Sequence, residues 1–331
     1  MAASGTVGCV ASLLLACGSR TGLFGDEELV GVTVPPEASR DSATDARTDV
    51  QGDARDAGAD VSDAARDADA LPIIDANVPE DATVSAFCAD ADTTLIYLVS
   101  AQNQLLSFYP PDQTFRSVGA LNCPAGGATP FSMAVSRTGT AFILYTNGQL
   151  FRVSTRTAAC SPTTFVPNQL NFGTFGMGFA SDDNSDTETL YVVDPAEGAT
   201  EARLGAIDTT TFALRLIGPM GPQVPRAELT GTGDGRLFGY WPTGQGQAGG
   251  GLGQINKGTG ALLAQNALSV GRRDDAFAFA FWGGDFWIFT ASSSGQPSDV
   301  TRYNLATQTA TLETQAASTI VGAGVSTCAP P

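Results

Sequence analysis

Acidic side chains are the main source of chemistry in this sequence of 331 residues, which contains 34 aspartates and glutamates, 17 lysines and arginines, and no histidine. The absence of histidine excludes Ser-His-Asp and Cys-His nucleophile systems, histidine-bound zinc and imidazole general bases. Any catalysis would therefore use carboxylates, tyrosine, serine or a hard metal. The net charge of −17 and the single lysine, Lys257, leave no basic stripe to neutralise phosphates, so nucleic acid is excluded as a partner.

Five aspartates lie near the ends of expected strands and could meet in one cleft: Asp194, Asp234, Asp274, Asp275 and Asp285. Glycoside hydrolysis needs two carboxylates about 5 Å or about 6.5 to 9.5 Å apart. The local sequence gives two of them another role, because Asp234 lies between glycines and Asp285 follows two glycines, as in tight turns. No catalytic residue is therefore predicted, and a carboxylate-dependent glycan hydrolase stays an alternative.

Oxygen-bearing side chains also alternate along residues 182–188, where Asp182, Asn184, Asp186 and Glu188 stand at every second position. Carboxylate and amide oxygens bind calcium, which makes this segment a candidate metal site. The central glycine and the distal glutamate of an EF-hand loop are missing, however, and a solvated turn between two strands explains the same pattern. No cofactor is predicted, with calcium as the one alternative.

The three tryptophans lie in the last third of the chain, at Trp241, Trp282 and Trp287. Aromatic faces beside polar groups suit the recognition of sugars and proteins. Trp287 lies inside an expected strand and is assigned to packing, whereas Trp241 precedes a proline and is expected in a surface loop. The predicted ligand-binding residues are Trp241, Tyr240 and Asp285.

A repeated pattern of strands is expected to position these residues. Strand signals begin at Leu95, Ala141, Leu190, Leu237 and Phe286, with spacings of 46 to 49 residues. Each signal is followed by a polar turn, a second alternating segment and, after a hairpin, a third strand. A strand rich in glycine and alanine precedes the second to fifth units, and a further one, at 320–325, follows the last unit.

Four short strands in each repeat of about 49 residues are typical of β-propeller blades. Small residues suit innermost strands, which crowd around a central channel. The strand at 320–325 has no unit after it, so we expect it to pair with residues 95–99. The sequence therefore predicts an all-β protein: a β-propeller of about five four-stranded blades at residues 86–331, closed by pairing of both chain ends and preceded by a disordered N-terminal region.

Residues 1–17 are expected to form a signal peptide. The apolar run at 10–16 is too short to span a bilayer, which needs about 20 residues, but suits a signal-peptide core. The stretch Leu14-Leu15-Ala16-Cys17 resembles the bacterial lipobox, in which the cysteine is lipidated and the chain is cleaved before it. The resemblance implies a lipid anchor on Cys17. The absence of aspartate directly after Cys17 favours the outer membrane.

Residues 18–85 are expected to form a disordered acidic linker rich in alanine and aspartate. Eleven aspartates lie between Asp41 and Asp81, and this stretch contains no aromatic residue. Such a composition buries too little apolar surface to offset the conformational entropy lost on ordering.

The predicted propeller contains four cysteines, Cys88, Cys123, Cys160 and Cys328. An even number in an exported chain indicates disulfides, and four cysteines allow three pairings. Cys88 precedes the first strand and Cys328 follows the strand expected to pair with it. Closure of the ring therefore predicts Cys88 with Cys328, which leaves Cys123 with Cys160.

The sequence resembles uncharacterised bacterial cell-surface lipoproteins that carry a β-propeller. The resemblance lies in the lipobox, the acidic linker and blade motifs such as Phe-Gly-Met-Gly-Phe at 175–179, Glu-Leu-Thr-Gly-Thr-Gly at 228–233 and Trp-Gly-Gly-Asp-Phe-Trp at 282–287. These lipoproteins have no assigned chemistry that could be transferred to this sequence. We therefore expect an exported, monomeric envelope protein, anchored to the membrane through its lipid, whose non-catalytic propeller binds a protein or glycan. A purely structural envelope protein is a further alternative.

Overall fold

The structure is a computed structural model that describes residues 95–183, 186–195, 201–221, 224–242, 249–268, 276–293 and 295–330. The described residues form five antiparallel sheets of four strands each. Two short 3-10 helices, Pro110–Asp112 and Gln169–Asn171, lie in connections between strands. No helix within these described ranges is long and apolar enough to cross a membrane.

Each sheet is one blade of a β-propeller. From the innermost strand outward, blade 1 contains β20 (Ile320–Val325), β1 (Ile96–Ser100), β2 (Gln104–Tyr109) and β3 (Thr114–Ala120), and blade 2 contains β4 (Pro130–Val135), β5 (Thr140–Tyr145), β6 (Leu150–Ser154) and β7 (Cys160–Pro162). Blade 3 contains β8 (Gly176–Ser181), β9 (Glu188–Asp194), β10 (Arg203–Ile207) and β11 (Leu214–Pro219), and blade 4 contains β12 (Glu228–Gly231), β13 (Leu237–Pro242), β14 (Gly250–Ile255) and β15 (Leu262–Leu268). Blade 5 contains β16 (Ala276–Trp282), β17 (Asp285–Ala291), β18 (Ser298–Asn304) and β19 (Thr309–Ala316).

The predicted ring closure is confirmed. Strand β20, from the C-terminal end, pairs with β1 in antiparallel register, with Tyr97 opposite Gly324 and Val99 opposite Gly322. The five innermost strands contact their neighbours in the order β20, β4, β8, β12, β16 and back to β20. The all-β propeller with five four-stranded blades is thus the fold of the described residues between 95 and 330, and the pairing of β20 with β1 protects a sheet edge that would otherwise be open.

Glycine allows the innermost strands to approach closely. A Cβ atom on Gly178 would lie 2.6 Å from the carbonyl oxygen of Leu229, and one on Gly231 would lie 2.1 Å from that of Phe179. These distances are far below normal van der Waals contact, so no larger residue fits without movement of the backbone. The small-residue strands recognised in the sequence are therefore the strands that surround the channel.

The hydrophobic core is divided among the interfaces between blades. Five buried clusters lie between neighbouring blades, one for each of the five interfaces. Trp287 belongs to one of them and meets the ring of Phe108 from blade 1, with ring centroids 5.4 Å apart, which confirms its predicted role in packing. Each blade is therefore held by apolar contacts on both of its faces.

One predicted disulfide is present. Cys123, in the connection between β3 and β4, is bonded to Cys160 at the start of β7, with Cα atoms 5.2 Å apart. Cys328 is also disulfide-bonded, and its partner lies outside the described residues. Because Cys88 lies outside them as well, the pairing of Cys88 with Cys328 stays a prediction.

Candidate functional site

A cavity of about 620 Å³ lies at one end of the central channel, where all five innermost strands begin. Its lining includes the first residues of four of these strands, Pro130, Gly176, Glu228 and Ala276, and Thr319 directly before the fifth. We call this end of the channel the mouth. The cavity is larger than those of about 470 and 530 Å³ beside the outer strands of blades 3 and 4. Its volume is typical of small-molecule sites.

Glu228 places a carboxyl group inside the mouth. It is the first residue of β12 and is only 4% exposed. The Ser132 hydroxyl, from blade 2, donates a hydrogen bond of 2.7 Å to Glu228 Oε2, so the carboxyl reaches from blade 4 across the channel. Burial raises the pKa of Glu228 well above its ordinary value, although hydrogen bonds from Ser132 and from the backbone of Met177 act in the opposite direction.

The raised pKa widens the range of pH over which Glu228 keeps its uncharged acid form. A carboxylic acid can donate one hydrogen bond and accept others, whereas a carboxylate can only accept. The mouth therefore offers a ligand a buried group with both hydrogen-bonding roles. A general acid also requires a raised pKa, so Glu228 could protonate the leaving oxygen of a glycosidic bond. Glycoside hydrolysis would in addition need a second carboxylate beside it.

Aromatic and hydroxyl groups form much of the remaining wall. The Arg226 guanidinium lies over the ring of Phe277, 5.0 Å from its centroid, and both residues line the cavity. The backbone N–H of Thr129 donates to the Thr146 hydroxyl at 3.2 Å, and Thr319 donates to the carbonyl of Gln296 at 2.7 Å. The wall thus combines apolar faces with hydroxyl groups held in place by the backbone.

The opposite end of the channel, which we call the closed end, is crossed by the C-terminal segment 326–330. The Arg137 guanidinium of blade 2 donates to the hydroxyls of Thr327 and Ser181, and Thr327 donates in turn to Glu188 at 2.9 Å. On the far side, Gly283 N–H of blade 5 donates to the carbonyl of Pro330 at 2.9 Å. These contacts tie the segment to blades 2, 3 and 5 at this end of the channel.

The predicted calcium ligands use their oxygens within the fold. Asp182 accepts hydrogen bonds of 2.7 Å from Thr187 and Thr189, and Glu188 accepts from the backbone N–H of Arg137 and from Thr327. Asp186 offers its backbone carbonyl to Arg137, and Asn184 lies outside the described residues. No group of three or more metal-ligating side chains converges within the part of the chain that the structure describes. Calcium binding stays an alternative that the structure does not test.

The expected position of Trp241 is wrong. Strand β13 continues through Pro242, and Trp241 pairs with Gly251 of β14 and is only 4% exposed. The indole ring occupies space left by glycines, since a Cβ on Gly251 would lie 2.3 Å from it. Tyr240 is fully buried against blade 5. Both side chains therefore belong to the core rather than to a surface that could bind a ligand.

Asp285 does not lie at the mouth. It begins β17 at the closed end, after a two-residue turn in which Gly283 and Gly284 have positive φ angles, as the sequence predicted. Its carboxylate accepts a hydrogen bond of 2.7 Å from Asn304. This hydrogen bond indicates that Asp285 stabilises the hairpin of β17 and β18.

Of the five aspartates that are candidates for hydrolysis, the three described ones do not meet. Asp194 ends β9 on the side of the mouth and is paired with Arg203, whereas Asp234 lies in the turn after β12 at the closed end and is paired with Arg236. Asp285 also lies at the closed end, and Asp274 and Asp275 lie outside the described residues. The three described members are thus split between the two ends of the channel.

None of the candidate motifs in the sequence includes Glu228 as a functional residue, although its position in a strand of small and apolar residues is unusual. It is the one charged residue in the five innermost strands, whose other members are small, apolar or hydroxyl-bearing. A charged side chain in a strand that faces a narrow channel must be buried. Burial of a charged side chain costs free energy, which indicates that Glu228 has a role at the channel.

No protein-family model and no curated protein matches the sequence. Similar solved structures include a chain of a mitotic checkpoint complex, with 9% identity, a TM-score of 0.38 and coverage of 71% of this chain and 79% of that chain. They also include a protein from Lactobacillus plantarum, with 12% identity, a TM-score of 0.38 and coverage of 71% and 72%. Hydrazine synthase from Kuenenia stuttgartiensis shows 13% identity, a TM-score of 0.35 and coverage of 65% and 64%. Similarities of this size assign neither a family nor an activity.

Proposed function

We propose that this chain is a non-catalytic binding protein of the bacterial envelope. A lipid on Cys17 anchors it, residues 18–85 hold the propeller away from the membrane, and a protein or glycan ligand binds at the channel mouth. The observation that carries the binding role is the cavity of about 620 Å³ where all five blades converge. Glu228 gives that cavity a buried polar group of the kind that fixes the orientation of a ligand.

The disulfide between Cys123 and Cys160 supports the exported location. Disulfides persist in oxidising compartments such as the bacterial periplasm and the cell surface, and are rare in the cytosol. The lipobox at Cys17 and the acidic linker are independent arguments for the same location.

A glycan hydrolase on the same propeller is the second candidate, because the raised pKa of Glu228 suits a general acid. Hydrolysis needs a second carboxylate in the same cleft. Glu228 supplies the one carboxylate among the described residues that line the mouth, which favours binding over turnover. Release of reducing ends from a bound glycan would reverse this preference.

The lipid anchor is tested by metabolic labelling. Cells that express the wild-type chain are expected to incorporate labelled palmitate into it, and Cys17→Ser is expected to lose the label completely because the acylated residue is gone. Cys9→Ser serves as the matched control and should keep the label. Equal labelling of wild type and Cys17→Ser would disprove the anchor.

Ligand binding is tested by a thermal-shift screen of the chain carrying Cys17→Ser against saccharides and peptides. A ligand at about one hundred times its dissociation constant adds about 2.7 kcal/mol to the stability of the protein that binds it. In a domain of this size the melting temperature should rise by about 5 to 10 °C. If no saccharide or peptide shifts the melting temperature, the purely structural alternative gains over the binding role.

A further inference from the structure

Most of the described residues that line the cavity at the channel mouth carry no charge. We propose that this cavity binds the uncharged, hydroxyl-bearing end of a saccharide, with the buried Glu228 carboxyl making hydrogen bonds to that end. This inference rests on the proposed function, because it names the ligand class of the same site. It does not rest on the tryptophans, since Trp241 and Trp287 are buried.

The first argument is the hydrogen-bonding capacity of Glu228. Its carboxyl group is held by Ser132 at 2.7 Å and is only 4% exposed, so its position is fixed before a ligand arrives. A sugar hydroxyl both donates and accepts hydrogen bonds, as a carboxylic acid does. The two groups can therefore satisfy each other's hydrogen-bonding capacity.

The second argument is the composition of the wall. Threonines from three blades line the mouth, at Thr129, Thr146, Thr174 and Thr319. Apolar side chains such as Phe131 and Val321 lie between them. A sugar ring presents hydroxyl groups at its edge and C–H groups on its faces, so it can meet both kinds of surface at once.

The third argument is charge. The charged residues among the described lining are Arg226 and Glu228, and Arg226 lies over the ring of Phe277. An anionic end group would be repelled by Glu228 once that carboxyl ionises, and a cationic one by the guanidinium of Arg226. An uncharged end group avoids both penalties.

The groups packed around Glu228 are consistent with an uncharged site. Strands β4 and β8 face it with Ser132 and Met177, neither of which carries a charge. Among the described residues, the other titratable or charged groups on the strands around it are Arg226, two residues earlier in the chain, Tyr240, its register partner on β13, and Asp194 at the end of β9, which is paired with Arg203. Glu228 is the one carboxyl among the described residues that line the mouth, so its titration is the change of charge that the pH experiment follows.

Isothermal titration of the chain carrying Cys17→Ser tests the ligand class. The probes are neutral trisaccharides of glucose, galactose and mannose, the uronate counterpart of each, and a set of short peptides. We expect at least one neutral trisaccharide to bind, at least tenfold more tightly than its uronate counterpart. Tighter binding of the uronates, or binding of peptides alone, would overturn the saccharide inference and leave the binding function intact. Binding of no probe would contradict both.

The pH dependence of affinity tests the role of Glu228. A bound ligand removes further water from the carboxyl, which favours the acid form, so affinity should be constant at low pH. It should fall by up to about tenfold per pH unit once Glu228 ionises in the free protein. Glu228→Ala should weaken binding at least tenfold at low pH. Glu228→Gln should recover part of that loss and show no dependence on pH.

Glu201→Gln is the matched control, because Glu201 lies outside the described lining of the mouth. It should reproduce both the affinity and the pH profile of the parent chain. A Glu228→Gln variant that keeps the parental pH profile would overturn the role assigned to Glu228.

Discussion

Replacement of both Cys123 and Cys160 by serine is expected to lower the free energy of unfolding of the propeller by about 4 kcal/mol. The disulfide joins residues separated by 37 positions in the sequence, and the loss of loop-closure entropy in the unfolded chain gives about this value. The bond also ties the connection between β3 and β4 to β7, which has only three residues. Blade 2 therefore depends on the disulfide to hold its shortest strand.

The change is measured by urea unfolding and by the melting temperature, in the chain carrying Cys17→Ser. A loss of about 4 kcal/mol corresponds to a decrease of about 8 to 16 °C in a domain of this size. Ser161→Ala, at the exposed position beside Cys160, is the control and should change stability by less than about 0.5 kcal/mol. A double serine variant as stable as this control would show that the bond contributes nothing to the fold.

Gly231→Val is expected to destabilise the propeller by about 3 kcal/mol or more. Strand β12 packs on β8 so closely that a Cβ on Gly231 would lie 2.1 Å from the carbonyl oxygen of Phe179 and 2.5 Å from the Cα of Ala180. Both obstacles are backbone atoms, so a larger side chain must displace one innermost strand from another. Because the five innermost strands form a closed ring, the displacement cannot be confined to a single blade.

Gly173→Val is the matched control, because a Cβ at Gly173 would meet no atom within 4 Å. Circular dichroism at rising temperature should show a melting temperature at least about 6 °C lower for Gly231→Val and a change of less than about 2 °C for the control. Equal melting temperatures for the two variants would mean that blades 3 and 4 are not packed as described.

The fold could be predicted because its determinants repeat along the chain. Strand signals recur every 46 to 49 residues, and the glycine and alanine pattern of the innermost strands is visible in each copy. The unpaired strand at 320–325 predicts closure by itself, and β20 does pair with β1. Cys123 and Cys160 are bonded as that closure predicted. Local sequence patterns, counted along the chain, were sufficient to predict all of these features.

The candidate site could not be predicted in the same way, because it is formed by residues that are far apart in the chain. The contact between Ser132 and Glu228 joins positions 96 residues apart, and no local pattern indicates it. Trp241 was misplaced because the following proline suggested a loop. In the structure, the glycines of β14 leave a space for its ring and β13 continues to Pro242.

The positions of the candidate aspartates could not be predicted from local sequence either. Asp194 and Asp285 both stand at strand ends, but neighbouring strands within a blade run in opposite directions. One strand end therefore lies at the mouth and the next at the closed end. Which end a residue reaches depends on its position within the blade, and this is known only once every strand is counted.

The central claim is that a ligand binds at the channel mouth, and a steric block there tests it most directly. Ala101, in the turn after β1, lines the cavity, whereas Ala310 is exposed on the outer strand β19. For a trisaccharide found to bind the parent chain by titration calorimetry, Ala101→Trp is expected to weaken binding at least tenfold, and Ala310→Trp is expected to leave it unchanged. Equal affinities for the two variants, with both melting temperatures unchanged, would contradict a site at the mouth.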